Sequence, residues 1–233
     1  MQLAVMQPYF LPYIGYFQLM NTVDKFVLLD DVNYINGGWI NRNRICINQQ
    51  PYWFTVPLVK ASQNRLIAEI EIQSSSDWKH KLCKTITNNY SKTPFFAHAY
   101  PIFEQIINFS NLNLSTFLCH SLELVANYLG IETTIMPTSS VYFKGNLKGQ
   151  ERIIDICLRE DADNYCNLLG GKKLYDHDVF SNNEINLYFI EPDFKKMKLS
   201  YGGNEDPVLS MLDLMMWNHA DDLRQALSAY QLS

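Results

Sequence analysis

The chain has 233 residues and no tandem repeat, which sets the expectation of one domain, and at 47% hydrophobic it can bury a sizeable core without disulfides or metals. Nineteen Lys and Arg stand against 24 Asp and Glu, a net charge of −5, and this excludes the cationic field that general affinity for nucleic acid or an anionic membrane requires. No apolar run approaches the roughly 18–20 residues of a membrane helix, MQLAVMQPYF lacks the basic region of a signal peptide, and the five cysteines are widely spaced with no CxxC, so a reduced, cytoplasmic protein without structural zinc is expected.

In chain order, Leu3–Met6 reads as a buried strand closed by Gln7-Pro8. A helix starting with proline follows over Pro12–Met20, then a second apolar strand over Lys25–Leu29 that ends at Asp30-Asp31. Strand, helix and strand with continuous apolar runs predict a βαβ unit of a parallel sheet. From Asp31 to Arg44 a polar, asparagine-rich stretch reads as a long functional loop. Ile45–Asn48 and Tyr52–Pro57 fit a hairpin, and Leu66–Ile72 alternates like a strand before a serine-rich helix cap at 74–77. Helical periodicity covers Trp78–Tyr90, Pro94–Phe109 and Ser115–Leu129, with Gly130 as the closing glycine. Strands are expected again at Glu132–Met136, Asn164–Leu168 and Asn186–Ile190, with helices at Gly149–Glu160, Pro207–Asn218 and Asp221–Gln231. The expected fold class is α/β: a mainly parallel, Rossmann-like sheet with helices on both faces, forming a single domain over 1–233 with a helical insertion at 75–130.

Ligands of parallel sheets bind outside the carboxyl ends of the strands, and four such ends are polar here: Gln7, Asp30-Asp31, Thr138-Ser139-Ser140, and Asn167 with Gly170-Gly171. Asp30 and Asp31 can position a hydroxyl, bind a cation or act as a general base. Successive residues point apart, so one of the two is expected to enter the cleft. Asn41-Arg42-Asn43-Arg44, preceded by Trp39, concentrates donors suited to phosphate or carboxylate. The bland alternative is a turn whose arginines pair with surface acids. Arg152 lies in the first turn of its helix, where a cation opposes the helix dipole and needs an anionic partner. Gly170-Gly171 reads most simply as a tight turn. The histidines are scattered, and GxGxxG, GxxxxGK[ST] and GxSxG are all missing, so a dinucleotide site, a P-loop and a hydrolase elbow are unsupported.

MQPYFLPYIGYF, DDVNY and Trp39-Ile-Asn-Arg-Asn-Arg-Ile45, continuing through VPLVKAS, ERIIDIC, GGKKLYD and PVLSMLDLMMWN, resemble the WbqC-like protein family along essentially the whole chain. The resemblance implies a role in bacterial surface-polysaccharide (O-antigen) biosynthesis: acyl or aminoacyl transfer, for example of a glycyl group, to the amine of a nucleotide-linked amino sugar. In that reaction Asp30 or Asp31 is the expected base. Arg42 and Arg44 would hold the pyrophosphate, and Asn41 and Asn43 would orient sugar hydroxyls or the donor. Partners would be the nucleotide-linked amino sugar and a small acyl or aminoacyl donor, with no metal or redox cofactor. A second resemblance concerns the segment Phe10–Tyr16, which is similar to the HxGH segment of HUP-type nucleotidylyltransferases, with Tyr13 and Tyr16 in place of the histidines and Ser139-Ser140 in place of a late serine-rich turn. It implies a nucleotidyltransferase or ATP-dependent ligase. A non-catalytic carbohydrate-binding protein is the third reading.

Overall fold

Continuous apolar runs make the central sheet, because a strand covered on both faces needs apolar side chains on both. In the computed structural model, which describes residues 1–203 and 208–233, the chain begins with β1 (Gln2–Met6), α1 (Ile14–Thr22) and β2 (Lys25–Leu28). It continues through β3 (Arg42–Ile47), β4 (Gln50–Thr55), β5 (Leu58–Val59) and β6 (Glu71–Ile72). Three helices follow, α2 (Asp77–Tyr90), α3 (Phe96–Asn108) and α4 (Leu114–Leu129), and then β7 (Thr134–Met136), α5 (Gly149–Arg159), β8 (Asn164–Leu168), α6 (His177–Ser181) and β9 (Asn186–Pro192). α7 (Met211–Trp217), α8 (Ala220–Ala226) and β10 (Tyr230–Leu232) complete the chain.

The main sheet has the order β10-β9-β8-β1-β2-β7. β1 pairs in parallel with β2 and β8, β2 with β7, and β8 with β9, while β10 closes one edge antiparallel to β9. The order reverses beside β1, the arrangement that opens a crevice at the carboxyl edge of a doubly wound sheet. Period-two alternation divides the core. Ala4, Phe26, Leu28 and Cys166 face α1, α4, α7 and α8, whereas Leu3, Val5, Val27 and Tyr165 face α5 and α6. The fold is therefore α/β and Rossmann-like.

Several expectations need correction. Arg42–Arg44, read as loop, lie in β3, which pairs with β4 through a two-residue turn whose Asn48 and Gln49 both have positive φ, the backbone that matches strand twist in short hairpins. This hairpin is a separate two-stranded sheet. Of Leu66–Ile72, only Glu71–Ile72 is strand; Ile67–Glu69 is a 3₁₀ turn that buries Ile67 and Ile70. The expected helix Asp221–Gln231 stops at Ala226, and its tail is β10. Pro207, the expected start of the preceding helix, lies outside the described residues; α7 begins at Met211 behind Ser210, whose hydroxyl accepts from the Leu212 N–H. Gly130 caps α4 in the left-handed region, as the sequence predicts.

The C-terminal helices clamp the turn after β1. The Ser210 hydroxyl donates to the Leu11 carbonyl (2.7 Å), the Met211 N–H to Pro12 (2.9 Å) and the Gln18 side-chain amide to Ala226 (2.8 Å).

Candidate functional site

The carboxyl end of β2 carries Asp30 and Asp31 into a buried polar ridge whose centre is Ser139. The Ser139 hydroxyl donates to Asp31 Oδ1 (2.5 Å) and accepts from the backbone N–H groups of Asp30 and Asp31 (3.2 and 3.3 Å). Asp30 Oδ1 receives the Thr138 hydroxyl (2.7 Å) and the Ser139 N–H (3.1 Å), and its Oδ2 receives the Ser115 hydroxyl from the first turn of α4 (2.7 Å). Asp31 Oδ2 pairs with Arg152 Nη2 at 3.0 Å. The same nitrogen donates to the Ser139 and Tyr142 carbonyls, and Nη1 reaches Asp155 at 3.1 Å. Arg152 is only 2% exposed. Its guanidinium thus finds the anionic partners its place in the first turn of α5 demands. Ser115, Thr138 and Asp155 complete the ridge. Thr138 follows β7, which pairs with β2, Ser115 comes in with the docking of α4, and Asp155 sits one turn beyond Arg152 on α5.

Asp30 and Asp31 share the Ser139 hydroxyl, but only Asp30 borders a cavity, on the α4 side, while a second cleft is lined by Lys144 and Arg152, the neighbours of Asp31. On the α5 side, a cleft of about 480 Å³ is lined by Asn33, Lys144, Lys148, Gly149, Arg152 and Tyr175, among others, with no Asp or Glu among the described residues of its lining. The Lys144 ammonium also donates to the Asp31 carbonyl. Gly149 opens α5 with φ +52, and no atom lies within 4 Å of where a Cβ would stand. A positive φ there turns the chain so that the first N–H groups of α5 begin at the cleft. On the α4 side, a cavity of about 540 Å³ is lined by Asp30, Ser115, Thr116, His120, Glu123 and Thr138, among others, with no Lys or Arg in its lining. The His120 ring is stacked on Phe109 with centroids 4.0 Å apart. Cys119 also borders this cavity, but burial and the neighbouring Glu123 push its thiol up to about 12, so it is no thiolate nucleophile near neutral pH.

The Asn41–Arg44 segment is used differently. Asn41 accepts from the Tyr34 hydroxyl and donates to the Val56 carbonyl (both 2.8 Å), and Asn43 donates to Leu11 (2.8 Å) and Phe10 (3.2 Å). Arg42 donates to the Gly37 and Gly38 carbonyls and lies 4.2 Å from the Trp53 ring centre. Arg44 sits 5.4 Å from Trp39 and 5.8 Å from Trp53, whose rings pack 5.1 Å apart. Trp39, Asn43 and Tyr13 border a third pocket, of about 220 Å³, with Tyr9, Pro12 and Val208. It shares no lining residue with the clefts beside the ridge.

Of the remaining expected site residues, Tyr16 is fully buried and its hydroxyl donates to the Gln7 carbonyl (3.0 Å), bracing the end of β1. Burial raises its phenol well above the usual range and pushes that of Tyr13 up to about 12. Ser140 is exposed, and its N–H caps onto the Thr138 hydroxyl. Gly170 and Gly171 lie in a 3₁₀ turn after β8, where Asn167 donates to the Tyr165 and Tyr175 hydroxyls. Lys144, Lys148, His120 and Glu123 were not legible as site residues. The one available signal was the i, i+4 lysine pair ahead of Gly149.

No group of three or more His, Cys, Asp or Glu side chains among the described residues could hold a metal ion. Among the same residues, no helix is long and apolar enough to cross a membrane.

No solved structure matches the chain. The uncharacterized protein Rv1507c of Mycobacterium tuberculosis is 31% identical over 217 residues, covering 92% of each chain. The WbqC-like protein family matches residues 7–225, a span that takes in both halves of the ridge and both cavities beside it, and the chain belongs to that family.

Proposed function

We propose that the chain is a transferase of surface-polysaccharide (O-antigen) biosynthesis that binds a nucleotide-linked amino sugar at the carboxyl edge of the sheet and acylates or aminoacylates its amine. One observation carries this reading: the cationic cleft at the start of α5, against the Asp30–Asp31 ridge. Lys144 and Lys148 with the first N–H groups of α5 suit a diphosphate, which prefers a helix N-terminus and adjacent ammonium groups. The diphosphate role expected of Arg42 and Arg44 passes to these groups, because the Arg42 guanidinium already serves two carbonyls and a tryptophan face.

In the reaction the amine nitrogen attacks the carbonyl carbon of an activated acyl or aminoacyl donor. The C–N bond forms, the bond from the acyl carbon to the leaving group breaks, and the leaving group departs with the electron pair. The proton lost from nitrogen passes to a base. Asp30 is the candidate, since it lines a cavity, whereas Asp31 is committed to Arg152.

The test is incubation of the purified chain with nucleotide-linked amino sugars and activated acyl or aminoacyl donors, read by mass spectrometry. An acyl mass increment on the sugar, lost in Lys144→Ala/Lys148→Ala, is the expected result. Pyrophosphate release from a nucleoside triphosphate with no such increment would replace this reading with a nucleotidyltransferase or ligase.

A further inference from the structure

We infer that the α4-side cavity is a binding site for a small hydroxylated ligand carrying a primary amine, with Glu123 and Asp30 as the acceptors of its ammonium group. The cavity falls within the roughly 300–1,000 Å³ typical of small-molecule sites. Its lining combines two carboxylates, an imidazole, the Asn113 amide and three hydroxyls, with no guanidinium or ammonium side chain. The Lys79 ammonium, which donates to the Phe109 carbonyl, is not part of the lining.

Such a wall repels anions and offers acceptors in excess of charged donors. A ligand bringing N–H donors and a positive charge meets it best, while hydroxyls on the same ligand can pair with Ser115, Thr116 and Thr138. The alternative cation, a metal ion, lacks a ligand cluster among the described residues. Asp30 is already held in place by Thr138, Ser139 and Ser115, so one acceptor is preorganised. Glu123 is exposed on the next turn of the same helix face as Thr116 and His120 and supplies the adjustable one. The His120 ring, stacked on Phe109, forms part of the same wall.

The inference deepens the proposed transfer, for which this is the amine end and the α5-side cleft the phosphate end, and it rests on that reading only for the fate of the amine. Its test needs no turnover. The probes are D-glucosamine, N-acetyl-D-glucosamine and D-glucose, titrated calorimetrically into the full chain at pH 7. Glucosamine is expected to bind at least about ten-fold more tightly than either uncharged probe, in line with a charge-assisted hydrogen bond. Glu123→Gln removes that margin with the melting temperature unchanged, while Lys144→Ala/Lys148→Ala leaves it intact. Equal affinities, no binding of any probe, or a margin that survives Glu123→Gln overturns the inference. Acyl transfer observed without the margin would leave the proposed reaction standing with its amine elsewhere. A margin without nucleoside diphosphate binding or transfer would do the reverse.

Discussion

Two polar clusters stand out from this chain, and they do different work. Around Asp30, Asp31 and Ser139, polar side chains from four separate stretches meet one another, and cavities open on both flanks. Along Asn41–Arg44, the side chains of Asn41, Arg42 and Asn43 instead bond mainly to backbone carbonyls of neighbouring turns. In sequence both read as dense sets of donors and acceptors. The difference lies in what the groups meet: in the ridge, side chains bond chiefly to one another, whereas along Asn41–Arg44 they chiefly satisfy backbone carbonyls. Asn43 and Arg152, which do so at cavity walls, stand between the two cases.

The sharpest way to break this contrast is Arg152→Met. It takes away the nearer cation of Asp31, leaving only the Lys144 ammonium at 4.0 Å, and strips two carbonyls of a donor, so a loss of about 3–5 kcal/mol is expected in urea unfolding. A loss under about 1 kcal/mol would mean that the ridge is more hydrated than its burial implies. Asn43→Ala comes next. Two carbonyls lose amide donors and the Arg44 N–H loses an acceptor, which should cost about 2–3 kcal/mol in the same assay and leave glucosamine binding at the ridge unaltered.

A third buried carboxylate sharpens the comparison because, unlike Asp31, it has no cation among the described residues. Asp213 accepts from the Tyr90 hydroxyl and the Cys46 N–H, yet burial outweighs both and pushes its carboxyl up to about 6 from 3.8. The folded chain therefore holds this proton more tightly than the unfolded chain does. The contribution is greatest below about pH 4, falls as pH rises toward 6, and is flat above 7. Over that window the stability of the natural chain, measured against Asp213→Asn, should decline by roughly 2–3 kcal/mol. Parallel curves at every pH would refute the shift. The smallest effect is expected from Arg42→Lys, whose partners are two carbonyls and an aromatic face: about 0–1 kcal/mol of stability and no change in nucleotide-sugar affinity. A ten-fold weaker Kd would return this segment to the site.

The legible part of the fold was the part written in apolar runs. β1 and β2 are short apolar runs bounded by polar strand ends and the long helices carry a helical period, and their mutual packing agrees with that reading. Leu66–Ile72 misled because Ile67 and Ile70 fit a 3₁₀ turn as well as a strand face, and β10 escaped because Gln231 and Leu232 are exposed and carry no pattern. At the site, Asp30, Asp31, Ser139 and Arg152 could be named from strand ends and helix starts. Ser115, His120 and Glu123 could not. Their place beside Asp30 depends on where α4 docks against the end of β2, a long-range packing result that no local spacing encodes.

The clamp on the turn after β1 has a consequence for how the protein is made. The Leu11 carbonyl waits for a hydroxyl 199 residues further along, and the Gln18 amide for a carbonyl 208 residues away. β1 likewise lacks its second neighbour until β8 has been synthesised. On the ribosome, β1 can pair with β2 early, but its other edge and the turn behind it stay incompletely bonded until those later groups have been made. Loop closure over such distances is slow, and an apolar strand left open for that long is what chaperones recognise. The last bonds of the turn after β1 thus wait for the C-terminal helices.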